Sequence, residues 1–182
     1  MNAREELVLA TRELLSTQGF EATSPADIQR RAGVGQGSFY HHFAGKADLA
    51  HAALTELAAD MCDELDRLAD DGDDLVESYL GLRRNALAGC RMGRMCMEGA
   101  LSDDRIRVPI AEYFAHVRAR LAAAFDDLDL GVDPTAMADL ALAAVQGAYV
   151  TSRAAGDPSP MVNATSALRQ LITATHQTTE IR

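Results

Sequence analysis

An all-helical fold follows from three features of this 182-residue chain. Ala, Leu, Glu, Asp and Arg are abundant, whereas β-branched residues are sparse and aromatics reach only 5%, a balance that favours helix over strand. Apolar residues recur at spacings of three and four along extended stretches. Gly, Pro and capping residues fall where such stretches stop and start. Together they predict about nine helices, no strand, and a small N-terminal three-helix unit followed by a larger helical body.

The first helix covers residues 4–18, with Leu7, Ala10 (or Thr11), Leu14 and Leu15 on one face, and Gly19 stops it. Ser24-Pro25-Ala26-Asp27 is a helix start: Ser24 caps, Pro25 takes the first helical position, and Asp27 lies near the positive end of the dipole. Ile28 and Ala32 face inward, Gly33 ends this second helix, and Val34 plugs the corner. A short third helix from about Gln36 to Phe43 buries Phe39 and Phe43, four residues apart. Residues 46–69 form a longer helix through Leu49, Ala53, Leu57, Met61, Leu65 and Leu68, and Asp70-Asp71-Gly72-Asp73-Asp74 breaks it as a loop. A helix through Tyr79, Leu82 and Ala86 is expected to end near Gly89.

The clearest amphipathic stripe is Ile106, Ile110, Phe114, Val117, Leu121, Phe125 and Leu128, with Pro109 kinking its first turn or displacing its start. Asp133-Pro134 opens a helix rich in small residues, among them Ala138, Ala141, Ala143, Ala144, Gly147 and Ala148, over 134–155. Gly156-Asp157-Pro158-Ser159-Pro160 breaks it, and a last helix over 160–176 carries Met161, Thr165, Leu168 and Ile172.

Residues 19–49 are the most informative. Two short helices joined at Gly33 make a helix-turn-helix, and the second has what a DNA-recognition helix needs. Phe39 and Phe43 anchor its back, Gly35 and Gly37 let its nose approach a groove floor, and Gln36, Ser38 and His41 can reach base edges. Tyr40 and His42 can reach flanking phosphates, and Lys46 with the start of the next helix makes a further phosphate site. Thr23, Ser24, Gln29 and Arg30 lie where the preceding helix would cross the other backbone wall.

The net charge of −10 looks wrong for a nucleic-acid binder, but residues 1–46 carry five basic and five acidic side chains, so all of the excess acid lies beyond them. That distribution suits a neutral reading head on an acidic body. Three cysteines, Cys62, Cys90 and Cys96, make no disulfide framework and point to a reducing compartment. No secretory signal or apolar run of membrane-spanning length is present, so a cytoplasmic protein is expected.

This segment resembles the tetracycline-repressor (TetR) family of bacterial transcription regulators. The resemblance rests on Gly19-Phe20, Thr23-Ser24, Asp27-Ile28, Ala32-Gly33-Val34, Gly37-Ser38-Phe39-Tyr40, His42-Phe43, Lys46 and Leu49, with the family's spacing intact. Gly35 departs from the pattern, since that position often carries Ser or Ala. The resemblance implies a DNA-binding domain over residues 1–47 and an effector-binding and dimerisation domain over 48–182. It also implies a homodimer formed through the helices 134–155 and 160–176, binding a palindromic double-stranded operator as a repressor. The other reading of the same helices is an effector-binding or interaction module that does not touch DNA.

The stretch Gly89-Cys90-Arg91-Met92-Gly93-Arg94-Met95-Cys96-Met97-Glu98 is similar to the one that begins the sixth helix in the LmrA/YxaF-like and electrophile-sensing branch. Three readings stay open. Cys90, flanked by Arg91 and Arg94 near a helix N-terminus, could be a redox or electrophile sensor, or only a small buried hydrophobe. Cys90, Met92, Met95, Cys96 and Met97 are soft ligands, but without a His or a CxxC pair no metal site is assigned. An organic effector could lie against Leu82, Met95, Tyr113, Phe114, Val117, Tyr149 and Met161, with His116, Arg118 or Gln146 orienting it. No cofactor is implied. HExxH, P-loop and nucleophile-elbow patterns are missing, and the carboxylates are scattered, so an enzyme is not expected.

Overall fold

The computed structural model describes residues 2–70, 74–82 and 84–180. Among them are eight α-helices, two short 3-10 helices and no strand. The α-helices are α1 (Ala3–Gln18), α2 (Pro25–Ala32), α3 (Gln36–His42), α4 (Lys46–Asp70), α5 (Leu75–Gly81), α6 (Asp104–Asp127), α7 (Pro134–Ala155) and α8 (Ser159–Glu180). The 3-10 helices are Gly93–Met97 and Gly99–Ser102. They gather into two units, one of Met1–Met61 with Cys90–Tyr113, the other of Cys62–Gly89 with Phe114–Arg182. α4 and α6 each contribute residues to both.

In the first unit α1 packs against α2 and α3. Its core contains Leu7, Val8, Leu15, Ile28, Phe39, Leu49 and Leu54, all nearly inaccessible to solvent. Each short helix is fixed locally. Asn2 and Glu5 form a reciprocal capping box at the start of α1, and Ser24 and Asp27 do the same for α2. Gly33 closes α2 in the left-handed region, at φ 67° and ψ 23°, which a glycine adopts without the Cβ penalty. Thr11, on the buried face of α1, returns its hydroxyl to Leu7 O at 2.7 Å.

In the second unit α8 packs against α7 and α5. The inner face of α7 is Ala138, Ala141, Val145, Ala148 and Ser152. Small side chains there admit a close neighbour, and the buried Ser152 hydroxyl accepts the Met161 N–H at 3.1 Å across the α7–α8 turn. Of the long stripe on α6, Ile106, Ile110, Val117, Leu121 and Phe125 are buried, while Phe114 and Leu128 are half-buried.

Two expectations are corrected. The helix through Ala86 stops at Gly81: Leu82 is extended, and the Arg84 guanidinium donates to Tyr79 O at 2.6 Å, taking a carbonyl that a further turn of helix would use. Ala86 is buried all the same, in a turn, which is why the apolar spacing misled. The Gly89–Glu98 stretch begins no α-helix. Within it only Gly93–Met97 is helical, as a 3-10 helix, and α6 starts only at Asp104. Pro109 lies inside α6, as read, in its second turn. Of the loop read at residues 70–74, positions 71–73 lie outside the described residues.

Candidate nucleic-acid interface

Helix α3 is held from behind. Phe39 is fully buried and Phe43, its C-terminal cap, nearly so, with Ile28 and Val34 beside them in the core. Rotation about the helix axis then puts Gln36, Gly37, Tyr40 and His41 outward, and all four are exposed, as is His42; Ser38 is half-buried. Tyr40 is 55% exposed, an unusual position for a ring that a fold could otherwise bury. It meets Phe39 edge-on at 5.0 Å, and His41 meets His42 edge-on at 4.9 Å.

Two glycines on this surface have open space around them among the described residues. A Cβ added at Gly35 or Gly37 would meet no neighbouring atom, and neither has a left-handed backbone. Gly35 caps α3 without any side-chain hydrogen bond, where Ser or Asp would stabilise the helix by only a few tenths of a kcal/mol more. Neither packing nor a left-handed backbone calls for glycine at either position among the described residues.

The flanking residues are distributed unevenly. Arg30 is exposed at the end of α2 and paired with Asp27, and Gln29 is half-buried. The hydrogen bonds from Ser24 and then the Arg30 guanidinium hold the Asp27 carboxyl below its ordinary range. Ser24 uses its hydroxyl within the cap, accepting from Asp27 N at 3.1 Å and donating to Asp27 Oδ2 at 2.5 Å.

Thr23, expected at the backbone wall, is turned inward. Its side chain is buried and its hydroxyl donates to Gly19 O at 2.6 Å. Lys46 likewise faces the α1–α2 turn: Nζ donates to Phe20 O at 3.0 Å and Thr23 O at 2.9 Å and sits 3.9 Å from the centre of the Phe20 ring. Partial burial lowers its pKa, opposed by the nearby carboxylates of Glu98 and Glu21.

Sequence reasoning passed over Arg4. Its guanidinium lies 5.5 Å from the centre of the Phe43 ring, at the foot of α3. Arg12 pairs with Asp60 and Glu56, and Arg31 with Glu13 at 2.7 Å, but exposed Arg4 has no carboxylate partner among the described residues. No periodicity could reveal this, because it depends on which carboxylates the fold delivers to which cations.

The effector residues fall in both units, and each is placed by itself. Cys90 and Met95 are buried and Tyr113 half-buried in the first; Val117 is buried and Phe114 and Tyr149 half-buried in the second. With no α-helix starting beside it, Cys90 Sγ accepts instead from a backbone donor, Gly93 N at 3.2 Å. Burial and then neighbouring Cys90 push the Cys96 thiol up, and burial with Asp66 and Asp63 pushes Cys62 up, so neither favours the reactive thiolate. His116 Nε2 and Arg120 Nε both lie on Asp66 Oδ1, at 3.0 and 2.8 Å, and Arg118 pairs with Asp139 at 2.6 Å.

A helix-turn-helix with an anchored back and an exposed polar face on its second helix defines a DNA-binding regulator. The profile described as "Bacterial regulatory proteins, tetR family" matches residues 7–53, and the C-terminal domain profile of LmrA/YxaF-like transcriptional regulators matches residues 80–167. The chain belongs to the TetR family of transcriptional regulators, which are not enzymes. It is 28% identical to the transcriptional regulator AcuR of Cereibacter sphaeroides, covering 96% of this chain and 88% of that one. An HTH-type transcriptional regulator of Mycobacterium tuberculosis is also 28% identical, with 94% of each chain covered. The reduced form of Escherichia coli NemR shares the fold at a TM-score of 0.82 and 23% identity, covering 93% of this chain and 96% of that one. A regulatory protein TetR from Rhodobacter sphaeroides gives 0.77 and 25%, covering 91% and 96%. No helix among the described residues is long and apolar enough to cross a membrane.

Proposed function

We propose that this chain is a repressor that binds a palindromic operator as a homodimer. Residues 1–47 read DNA, and residues 48–182 bind an effector and form the dimer. Gln36, Gly37, Ser38 and His41 face the bases of a major groove. Tyr40, His42, Ser24, Gln29, Arg30 and Arg4 face the phosphates on either side. Lys46 and Thr23 serve the same surface by holding the turn behind it. The observation that carries this reading is the exposed face of α3, where Gln36, Tyr40 and His41 stand outward while Phe39 and Phe43 anchor the back.

Dimer formation has its own support. Leu140, Ala143, Gly147, Val150 and Ala154 are all exposed on α7 at spacings of three and four, and Val162 and Leu171 are exposed on α8. Gly147 sits in the middle of α7 with open space around its missing Cβ. A mid-helix glycine costs about 0.5–1 kcal/mol relative to alanine, so its presence suits close approach by a helix of a second copy.

Release by a small-molecule or thiol-reactive effector completes the proposal, by favouring a conformer with weaker operator affinity. Operator binding is tested by gel-shift on DNA flanking the chain's own gene, with Gln36→Ala and Tyr40→Ala as variants; both abolish the specific shift. Thiol release is tested separately with peroxide on Cys90→Ser. Release that persists in that variant removes Cys90 from the mechanism.

A further inference from the structure

The turn between α1 and α2 is gripped by the chain segment that follows the cysteines. Glu98 stands between the two 3-10 helices. Its Oε2 accepts the backbone N–H of Phe20 at 3.0 Å and of Glu21 at 2.8 Å, and its Oε1 lies 3.2 Å from the Phe20 N–H. The exchange is reciprocal, because Glu21 Oε1 accepts the Ala100 N–H at 3.2 Å. Each segment thus satisfies backbone donors of the other with a carboxylate, and such charge-assisted bonds are about twice as strong as neutral ones.

The turn is shaped to receive Glu98. Gly19 has φ 86°, a backbone that favours glycine, and a Cβ there would push the Glu98 carboxylate out of its place. The opposite pole of the turn, its Phe20 and Thr23 carbonyls, is held by Lys46. Amides on a carboxylate and carbonyls on an ammonium leave this turn little freedom. It is also the piece that joins α1 to α2, and α1 packs on both α2 and α3.

We propose that Glu98 is a positioning residue for DNA reading: its carboxylate fixes the α1–α2 turn and thereby the pose in which α3 meets the operator. This deepens, and rests on, the operator-binding reading above. Because the anchor lies in the segment carrying Cys90 and Met95, a displacement of that segment is passed to the turn.

The test measures Glu98→Gln and Glu98→Ala for thermal midpoint, for hydrogen exchange at the Phe20 and Glu21 amides, and for affinity toward an operator duplex and an unrelated duplex. The glutamine keeps the size of the side chain should the alanine variant fail to fold. Expected are faster exchange at those two amides, an operator Kd raised about tenfold, and an unrelated-duplex Kd within about twofold of wild type, since phosphate attraction is untouched. Operator affinity within about twofold of wild type would overturn the proposal. So would equal losses on both duplexes, which indicate general destabilisation. A wild-type protein that does not distinguish the duplexes overturns the operator-binding reading itself, and the proposal with it.

Discussion

His51 Nδ1 stands 3.0 Å from the carbonyl oxygen of Arg105, the acceptor that Pro109 leaves without its helical donor. In an unbroken helix the N–H of residue 109 would bond that oxygen, and proline has none. The acceptor is a carbonyl, so the imidazole presents Nδ1–H to it. A side chain of α4 thus repairs a defect in α6 within the first unit.

This repair predicts non-additive stability. His51→Ala should cost about 0.5 kcal/mol in the wild-type background, at the low end for a hydrogen bond because the site is exposed to water. In a Pro109→Ala background the same change should cost nearly nothing, since the helix then supplies its own donor. Urea unfolding of the four proteins in a double-mutant cycle measures the difference.

Arg4 and Arg31 should behave differently on DNA. Arg4 is at the foot of α3 without a carboxylate partner among the described residues, whereas Arg31 is held by Glu13. Arg4→Ala should lower the slope of log affinity against log salt by about one, and Arg31→Ala should leave it unchanged. Equal slopes for Arg4→Ala and wild type would place Arg4 off the phosphates.

A bulky residue at Gly147 should separate copies of the chain without unfolding it. Open space surrounds this position, so Gly147→Arg is tolerated within one copy. Sedimentation should show wild-type dimers and variant monomers, with helicity preserved. A variant that remains dimeric would move the interface away from the exposed face of α7.

Asp27 sets a pH dependence with a definite sign. Its folded pKa is depressed, so it contributes stability that is full above its unfolded pKa of about 3.9 and is lost as pH falls through the lower folded value. Asp27→Asn should therefore flatten the acid side of the thermal-midpoint profile below about pH 4, leaving the profile between pH 5 and 8 unchanged.

The sequence made local features legible and left distant ones hidden. The caps at Ser24 and Asp27, the stop at Gly33 and the anchors Phe39 and Phe43 are set by neighbours within four residues, and each stands as read. The outward face of α3 followed from them, because burying two phenylalanines fixes the helix rotation. The inward turn of Thr23 and Lys46 was not legible, since both answer to backbone groups of a turn rather than to a pattern of their own. The Glu98 bonds join residues nearly eighty positions apart, beyond any periodicity. The end of α5 is hidden because a turn buries Ala86 at a spacing that imitates a helix.

The most direct test of DNA reading through α3 is the ratio of affinities for a duplex selected from random sequence and for a scrambled duplex, at fixed physiological salt, for wild type and Gln36→Ala. The account predicts a ratio of about 1,000 or more for wild type and its collapse in the variant. A wild-type ratio near one, with only salt-sensitive binding to any duplex, would contradict it.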